Sequence, residues 1–146
     1  MWTELQSIHD TYEQIVQGER PWTALGDFLN YWYCYAADRR EELIRESLGL
    51  PDNITPELRR WATFCTASVE YLCERDQIPC PDWVNNPSYS LAEAWFTGLG
   101  ANKSHVQARL LEETPAVFRK RNIFCSPHAF STKYDIAVDV RQRQAV

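Results

Sequence analysis

The sequence has no apolar run approaching the roughly 18–20 residues that a membrane-spanning helix needs. Its first residues, Met1-Trp2-Thr3-Glu4, lack the basic, apolar and small-residue segments of a signal peptide. It has only five glycines among 146 residues, little material for the glycine-rich loops that hold phosphates. These absences predict a cytoplasmic protein without a membrane or nucleotide-loop function, and no cofactor is expected.

Cysteine is also scarce for a disulfide framework. The five cysteines are an odd number, and no export signal accompanies them. Reduced thiols that pack as small hydrophobic side chains are the expected state.

Positive charge is deficient in the first part of the chain and in excess in the last. Residues 1–102 contain seven Lys and Arg against sixteen Asp and Glu, whereas residues 103–146 contain eight against four. The overall net charge of −5 does not suit a protein that coats nucleic acid. The basic C-terminal part could still contact RNA or an acidic partner protein.

What the sequence has in quantity is aromatic and helical patterning. Apolar residues recur at helical spacing and predict three core helices over 3–17, 23–36 and 55–75. The first is expected to begin with a capping box at Thr3 and Gln6, and the second at Thr23. The third has the clearest start signal, Thr55-Pro56-Glu57, a capping residue followed by proline and an acid.

The second half is interrupted by prolines. Short helices are predicted from Asp38, over 90–96 and 104–112, and after Thr114-Pro115, whereas Pro79–Trp83 reads as an irregular segment with Trp83 docked on the core. The predicted fold class is all-α, a compact bundle of about six or seven helices with an aromatic core and a loop-rich C-terminal half. Residues 1–134 form one domain, and residues 135–146 are expected to be a flexible tail unless bound.

One candidate chemistry is ribonuclease activity. Arg121 and His128 fit the arginine–histidine spacing of the helical HEPN ribonucleases. The arginine would stabilise phosphate charge and the histidine would move a proton. Pro127 interrupts the segment between them, and Ile123-Phe124 reads as buried, so we keep this hypothesis as an alternative.

A second alternative is a structural subunit with a zinc site. Cys125 and His128 have the C-x-x-H spacing of two zinc ligands, and Cys73 or Cys80 could complete the set. Against this hypothesis, Cys65 and Cys73 lie in an apolar helical stripe and are expected in the core.

The third candidate is a protein-binding surface. Basic residues and aromatics are adjacent near the C-terminus, and arginine and aromatic side chains are common interface anchors. The competing interpretation is a solvated helix end favoured by its dipole. Trp22 and Trp32 are two further candidates, each expected to be either an interface anchor or a core residue. The predicted partner-binding residues are Arg119, Lys120, Arg121, Phe124, Trp83 and Trp95.

Four segments resemble a family of small uncharacterised bacterial proteins: residues 21–32 (PWTALGDFLNYW), 38–44 (DRREELI), 79–84 (PCPDWV) and 118–124 (FRKRNIF). Such proteins are often encoded near helix-turn-helix proteins and predicted nucleotidyltransferases of toxin–antitoxin or phage-defence modules. The resemblance implies an antitoxin-like or regulatory partner of a toxin or nucleotidyltransferase, with no catalytic residues to transfer. It favours a non-enzymatic protein-binding module.

Overall fold

The structure, a computed structural model, describes residues 5–51 and 53–127. Most of these residues are helical, as the sequence predicted, and a two-stranded parallel sheet is added to the helices. The described elements are α1 (Ile8–Val16), α2 (Pro21–Asn30), a π-helical turn (Tyr31–Tyr35), a 3-10 turn (Ala37–Arg39), α3 (Arg40–Leu43), α4 (Pro56–Asp76), a second 3-10 turn (Asp82–Asn85), β1 (Trp95–Phe96), α5 (Ser104–Glu113), α6 (Ala116–Arg119) and β2 (Ile123–Phe124).

Helix α1 begins later than the sequence predicted. Its capping box is formed by Ser7 and Asp10, because the Ser7 hydroxyl accepts from the Asp10 amide and the Asp10 carboxylate accepts from the Ser7 amide. Thr3, the predicted cap, lies outside the described residues. The buried face of α1 includes Ile8 and Tyr12 and packs against α2 and α4.

Helix α2 begins at Pro21 rather than Thr23, because proline is well suited to the first helical position. Its α-helical part ends at Asn30, where the π-helical turn replaces the predicted continuation to residue 36. Trp32 in this turn is fully buried, and its indole Nε1 donates to Asp76 Oδ2 over 2.7 Å. Trp32 is therefore a core residue.

Helix α4 is the central element, and its predicted bounds are confirmed to within one residue. The Thr55 hydroxyl accepts from the Leu58 amide over 3.2 Å, and Pro56 occupies the first turn. Phe64, Cys65 and other residues of its middle are fully buried. The helix ends where Gln77 adopts a left-handed conformation with φ of 58°.

The predicted helix over residues 90–96 is wrong. Its backbone instead pairs with the chain after α6: Leu91 donates to the Arg121 carbonyl and Trp95 to the Asn122 carbonyl. These bonds place β1 beside β2 with Trp95 opposite Ile123. A pairing between residues about thirty apart in sequence leaves no local signal, so periodicity could not reveal it.

Two predicted caps are also corrected. Asp38 lies inside the first 3-10 turn and does not cap α3, which follows Arg39. Thr114 ends α5 rather than capping α6: its hydroxyl contacts the Leu110 carbonyl and accepts from the Cys125 amide over 3.1 Å. The hydroxyl thus joins α5 to the chain after β2. The prediction of a helix over 104–112 is confirmed by α5.

Within the described ranges, no helix is both long and apolar enough to cross a membrane. The predicted tail, residues 135–146, and the residues from His128 onward lie outside the described part of the chain.

Candidate interaction surface

The three consecutive basic residues of the predicted surface have three different environments. Arg121 is 5 % exposed, and its guanidinium group is held on several sides. Nη1 donates to Glu70 Oε1 over 2.7 Å and to the Val117 carbonyl over 2.9 Å, and Nη2 donates to the Val84 carbonyl over 2.9 Å. Arg121 is therefore a buried structural residue, which is a correction to its prediction as a partner-binding or phosphate-binding side chain.

Glu70 on α4 is the acceptor that organises this cluster. Its carboxylate also accepts from Lys120 Nζ over 2.7 Å, and its side chain is only 14 % exposed. Burial alone would raise the pKa of Glu70, but the hydrogen bonds from Lys120 and Arg121 outweigh burial and hold the pKa below its usual value. The cluster thus joins α4 to the end of α6 by a charged, largely buried contact.

Arg119 faces a different neighbour. Its Nη2 atom donates to the Thr114 carbonyl over 2.8 Å and to the Glu112 carbonyl over 3.2 Å. A cation that binds the last carbonyls of a helix stabilises its C-terminus. Arg119 is exposed but serves α5 in this way, and Lys120 is exposed but paired with Glu70.

The predicted aromatic anchors are also engaged within the fold. Phe124 is buried and stacks on Phe96 with ring centroids 4.9 Å apart. Trp83 is docked on the core as predicted, because its Nε1 donates to the Ile44 carbonyl over 2.9 Å. Trp95 is half-buried and packs edge-on against Trp61 at 5.1 Å. These residues, like Arg121, hold the fold together.

The cysteines do not form a metal site within the described ranges. There, no three cysteine, histidine, aspartate or glutamate side chains are grouped as ligands would be. The sulfur of Cys73 lies 4.0 Å from the carbonyl of Pro79, the residue before Cys80, whereas Cys125 is buried and its amide donates to the hydroxyl of Thr114 at the end of α5. His128, the remaining predicted ligand, lies outside the described residues. Cys65 and Cys73 are buried, as the helical stripe predicted.

A cleft of about 440 Å³ opens on the surface of the fold. It lies between the start of α2, the loop after β1, and α5, and the residues after β2 close one side. Trp22 stands at its edge, 46 % exposed, although its ring also packs edge-on against Phe64 at 5.3 Å. The lining residues are Trp22, Thr97, Gly98, Leu99, Val106, Arg109, Leu110, Glu113, Cys125 and Ser126.

Leu99 is the most exposed large apolar residue among the described residues. It is fully exposed because it lies between Gly98 and Gly100, both with positive φ (120° and 72°), which turn the chain sharply. Patterns in the sequence did not single out Leu99 or the α5 residues of the cleft. The available signal was a leucine flanked by two of the five glycines, in a loop where an apolar side chain has no core to fill.

Comparison with known protein families, with curated proteins and with solved structures found no match for this chain.

Proposed function

We propose that this chain is a protein-binding module and that the cleft between Trp22, Leu99 and α5 is its docking surface. The observation that carries the proposal is Leu99, a fully exposed leucine at the mouth of an apolar cleft. Leaving such a side chain in water forgoes roughly 1.5–3 kcal/mol of burial free energy, which a partner would recover. Trp22 adds a partly exposed aromatic ring of the kind enriched at interface hot spots.

The protruding Leu99 favours a protein over a small molecule as the occupant. The cleft volume of about 440 Å³ alone would suit either class. A small ligand inside the cleft would cover only the part of Leu99 that lines it, whereas a protein surface can cover the whole of this fully exposed side chain. The proposed partner therefore presents an apolar side chain to the cleft and an apolar pocket to Leu99.

Two charged residues on α5 would set the orientation of the partner at the proposed interface. Arg109 and Glu113 lie one helical turn apart, and both line the cleft. Within the described residues, neither side chain forms an ion pair. A partner segment with an acidic group near Arg109 and a basic group near Glu113 would match them, and complementary charges chiefly set orientation and association rate.

The kind of partner that we propose rests on the sequence alone. Its resemblance to proteins encoded near toxin–antitoxin and defence genes leads us to propose an antitoxin-like or regulatory role toward a neighbouring toxin or nucleotidyltransferase. The Arg121 guanidinium is buried and bonded within the fold, which argues against the ribonuclease alternative. Arg119 and Lys120 likewise have internal partners, which weakens the case for RNA binding there.

The test compares Leu99→Ser with a matched control, Leu111→Ser. Leu111 is 51 % exposed on α5 but does not line the cleft, so both substitutions remove a surface leucine. Binding of the purified neighbouring gene product is measured by titration calorimetry. We expect Leu99→Ser to weaken binding about thirtyfold, equivalent to roughly 2 kcal/mol at a hot spot, and Leu111→Ser to leave it within about twofold.

Two results would contradict the proposal at different levels. If the two variants bound the neighbouring gene product with equal affinity, the cleft would be excluded as the docking surface. If the wild-type chain did not bind that product, the antitoxin-like role would be excluded. Substitution of Trp22 is a poorer test, because its contacts with Trp61 and Phe64 make it part of the fold.

A further inference from the structure

Cys73 and Cys80 are side by side at the end of α4. Cys73 lies in the last turn of the helix, and the chain then reverses at Gln77, whose left-handed conformation lets the Ile78 amide donate to the Cys73 carbonyl over 3.0 Å. The reversal brings the Pro79 carbonyl to 4.0 Å from Cys73 Sγ. Cys80 follows Pro79 directly, so the reversal places it next to Cys73, and the thiols of Cys73 and Cys80 each shift the pKa of the other.

The two thiols differ in access to solvent. Cys80 is exposed, whereas Cys73 is 2 % exposed. An exposed thiol beside a buried one is the arrangement in which the first reacts with an external disulfide and the second completes the exchange. By contrast, Cys65 and Cys125 are buried, and Cys34 is exposed, without a recorded cysteine neighbour.

The charges around Cys80 are mixed. Although the residue as a whole is exposed, desolvation of its thiol by the surrounding atoms is the largest influence and raises the pKa of Cys80 above its usual value. Cys73 and Arg121 favour the Cys80 thiolate, whereas Glu70 and Glu74 oppose it. Exchange is therefore expected to be slow, because the thiolate is the attacking species.

We propose that Cys73 and Cys80 form a reversible intramolecular disulfide by exchange with a low-molecular-weight disulfide. The Cys80 thiolate attacks one sulfur of that disulfide, whose S–S bond breaks and releases one small thiolate. Cys73 then loses its proton to solvent and attacks the Cys80 sulfur, which releases the second small thiolate. The protein loses two electrons and two protons, and the small disulfide becomes two thiols.

The test uses the full chain, equilibrated with mixtures of oxidised and reduced glutathione, quenched with acid, and alkylated under denaturing conditions. Whole-protein mass spectrometry should show that oxidation leaves three of the five thiols free to react with the alkylating reagent. Trypsin cleaves after Arg60, Arg75 and Lys103, so the bond should join peptide 61–75 to peptide 76–103. Full recovery of five thiols after reduction is expected.

Cysteine variants show which two cysteines form the disulfide bond. Cys65→Ala removes the other cysteine of peptide 61–75 and should leave the linked peptides unchanged, as should Cys34→Ser. Cys80→Ser, checked for folding by circular dichroism, should abolish them. Absence of the linked peptides in the most oxidising mixture, or their loss in folded Cys65→Ala, would overturn the proposal.

Discussion

Replacement of Arg121 by methionine should destabilise this protein more than any other change in its basic segment. The substitution keeps most of the side-chain volume but removes the charge from a site that is 5 % exposed. Among the described residues, Glu70 would retain only Lys120 as a charged partner, and the carbonyls of Val84 and Val117 would lose a donor. The change thus leaves polar groups buried without their hydrogen bonds.

The expected magnitude follows from that geometry. Breaking a buried ion pair by removing one partner costs about 3–5 kcal/mol, because the other charge remains desolvated. Lys120 still reaches Glu70, so we place the cost near the lower end, about 3 kcal/mol. For a chain of this length, that corresponds to a fall in melting temperature of roughly 6–12 °C.

Urea denaturation followed by tryptophan fluorescence would measure the change in the free energy of unfolding. Lys120→Met is the matched control: it removes a charge from the same carboxylate, but its side chain is 51 % exposed. Exposed ion pairs are worth about 0–1 kcal/mol, so this variant should change stability little. Equal effects of the two substitutions, or an Arg121→Met change below about 1 kcal/mol, would refute the assignment of Arg121 as a buried structural residue.

Three further predictions address other parts of the structure. Because folding lowers the pKa of Glu70, its charged contacts stabilise the protein above the unfolded-state pKa and are lost as the pH falls through the folded-state pKa. As the pH is lowered, the free energy of unfolding should therefore fall less steeply in Glu70→Gln than in the wild type. Identical slopes of the free energy of unfolding against pH would contradict this prediction. Thr55→Ala should cost about 1 kcal/mol in urea denaturation because the Leu58 amide loses its cap, whereas Ser90→Ala, which removes no helix cap, should cost less. Gln77→Gly should stabilise the chain by roughly 0.5–1 kcal/mol, since glycine adopts the left-handed conformation without strain; a loss of stability would contradict the assigned helix end.

The parts of the fold that the sequence predicted well are those coded locally. Helix α4 has a capping threonine, a proline in its first turn and an apolar stripe, all within its own length, and its bounds were predicted within one residue. The mostly helical composition and the burial of Cys65 followed from the same periodicity. Trp83 was placed correctly because an aromatic residue between prolines has few alternatives to packing on the core.

The parts that could not be predicted depend on contacts between distant residues. Strand β1 exists because Trp95 donates to the Asn122 carbonyl, a bond that local patterns do not encode. The environment of Arg121 likewise depends on Glu70, which lies in a different helix. The candidate surface shares this dependence: Trp22, Leu99 and Arg109 become neighbours only when α2, the loop after β1 and α5 come together.

The basic segment shows why adjacency in sequence is weak evidence for a binding patch. Successive residues of a helical turn point about 100° apart, so neighbours reach different surroundings. Arg119 binds the end of α5, Lys120 reaches the surface side of Glu70, and Arg121 enters the interior. Each of these cations is thus bonded within the fold, and a mutation of the buried Arg121 would disturb folding before it tested binding. A surface function is better sought where apolar side chains are exposed without an internal role, and among the described residues Leu99 meets that condition most fully.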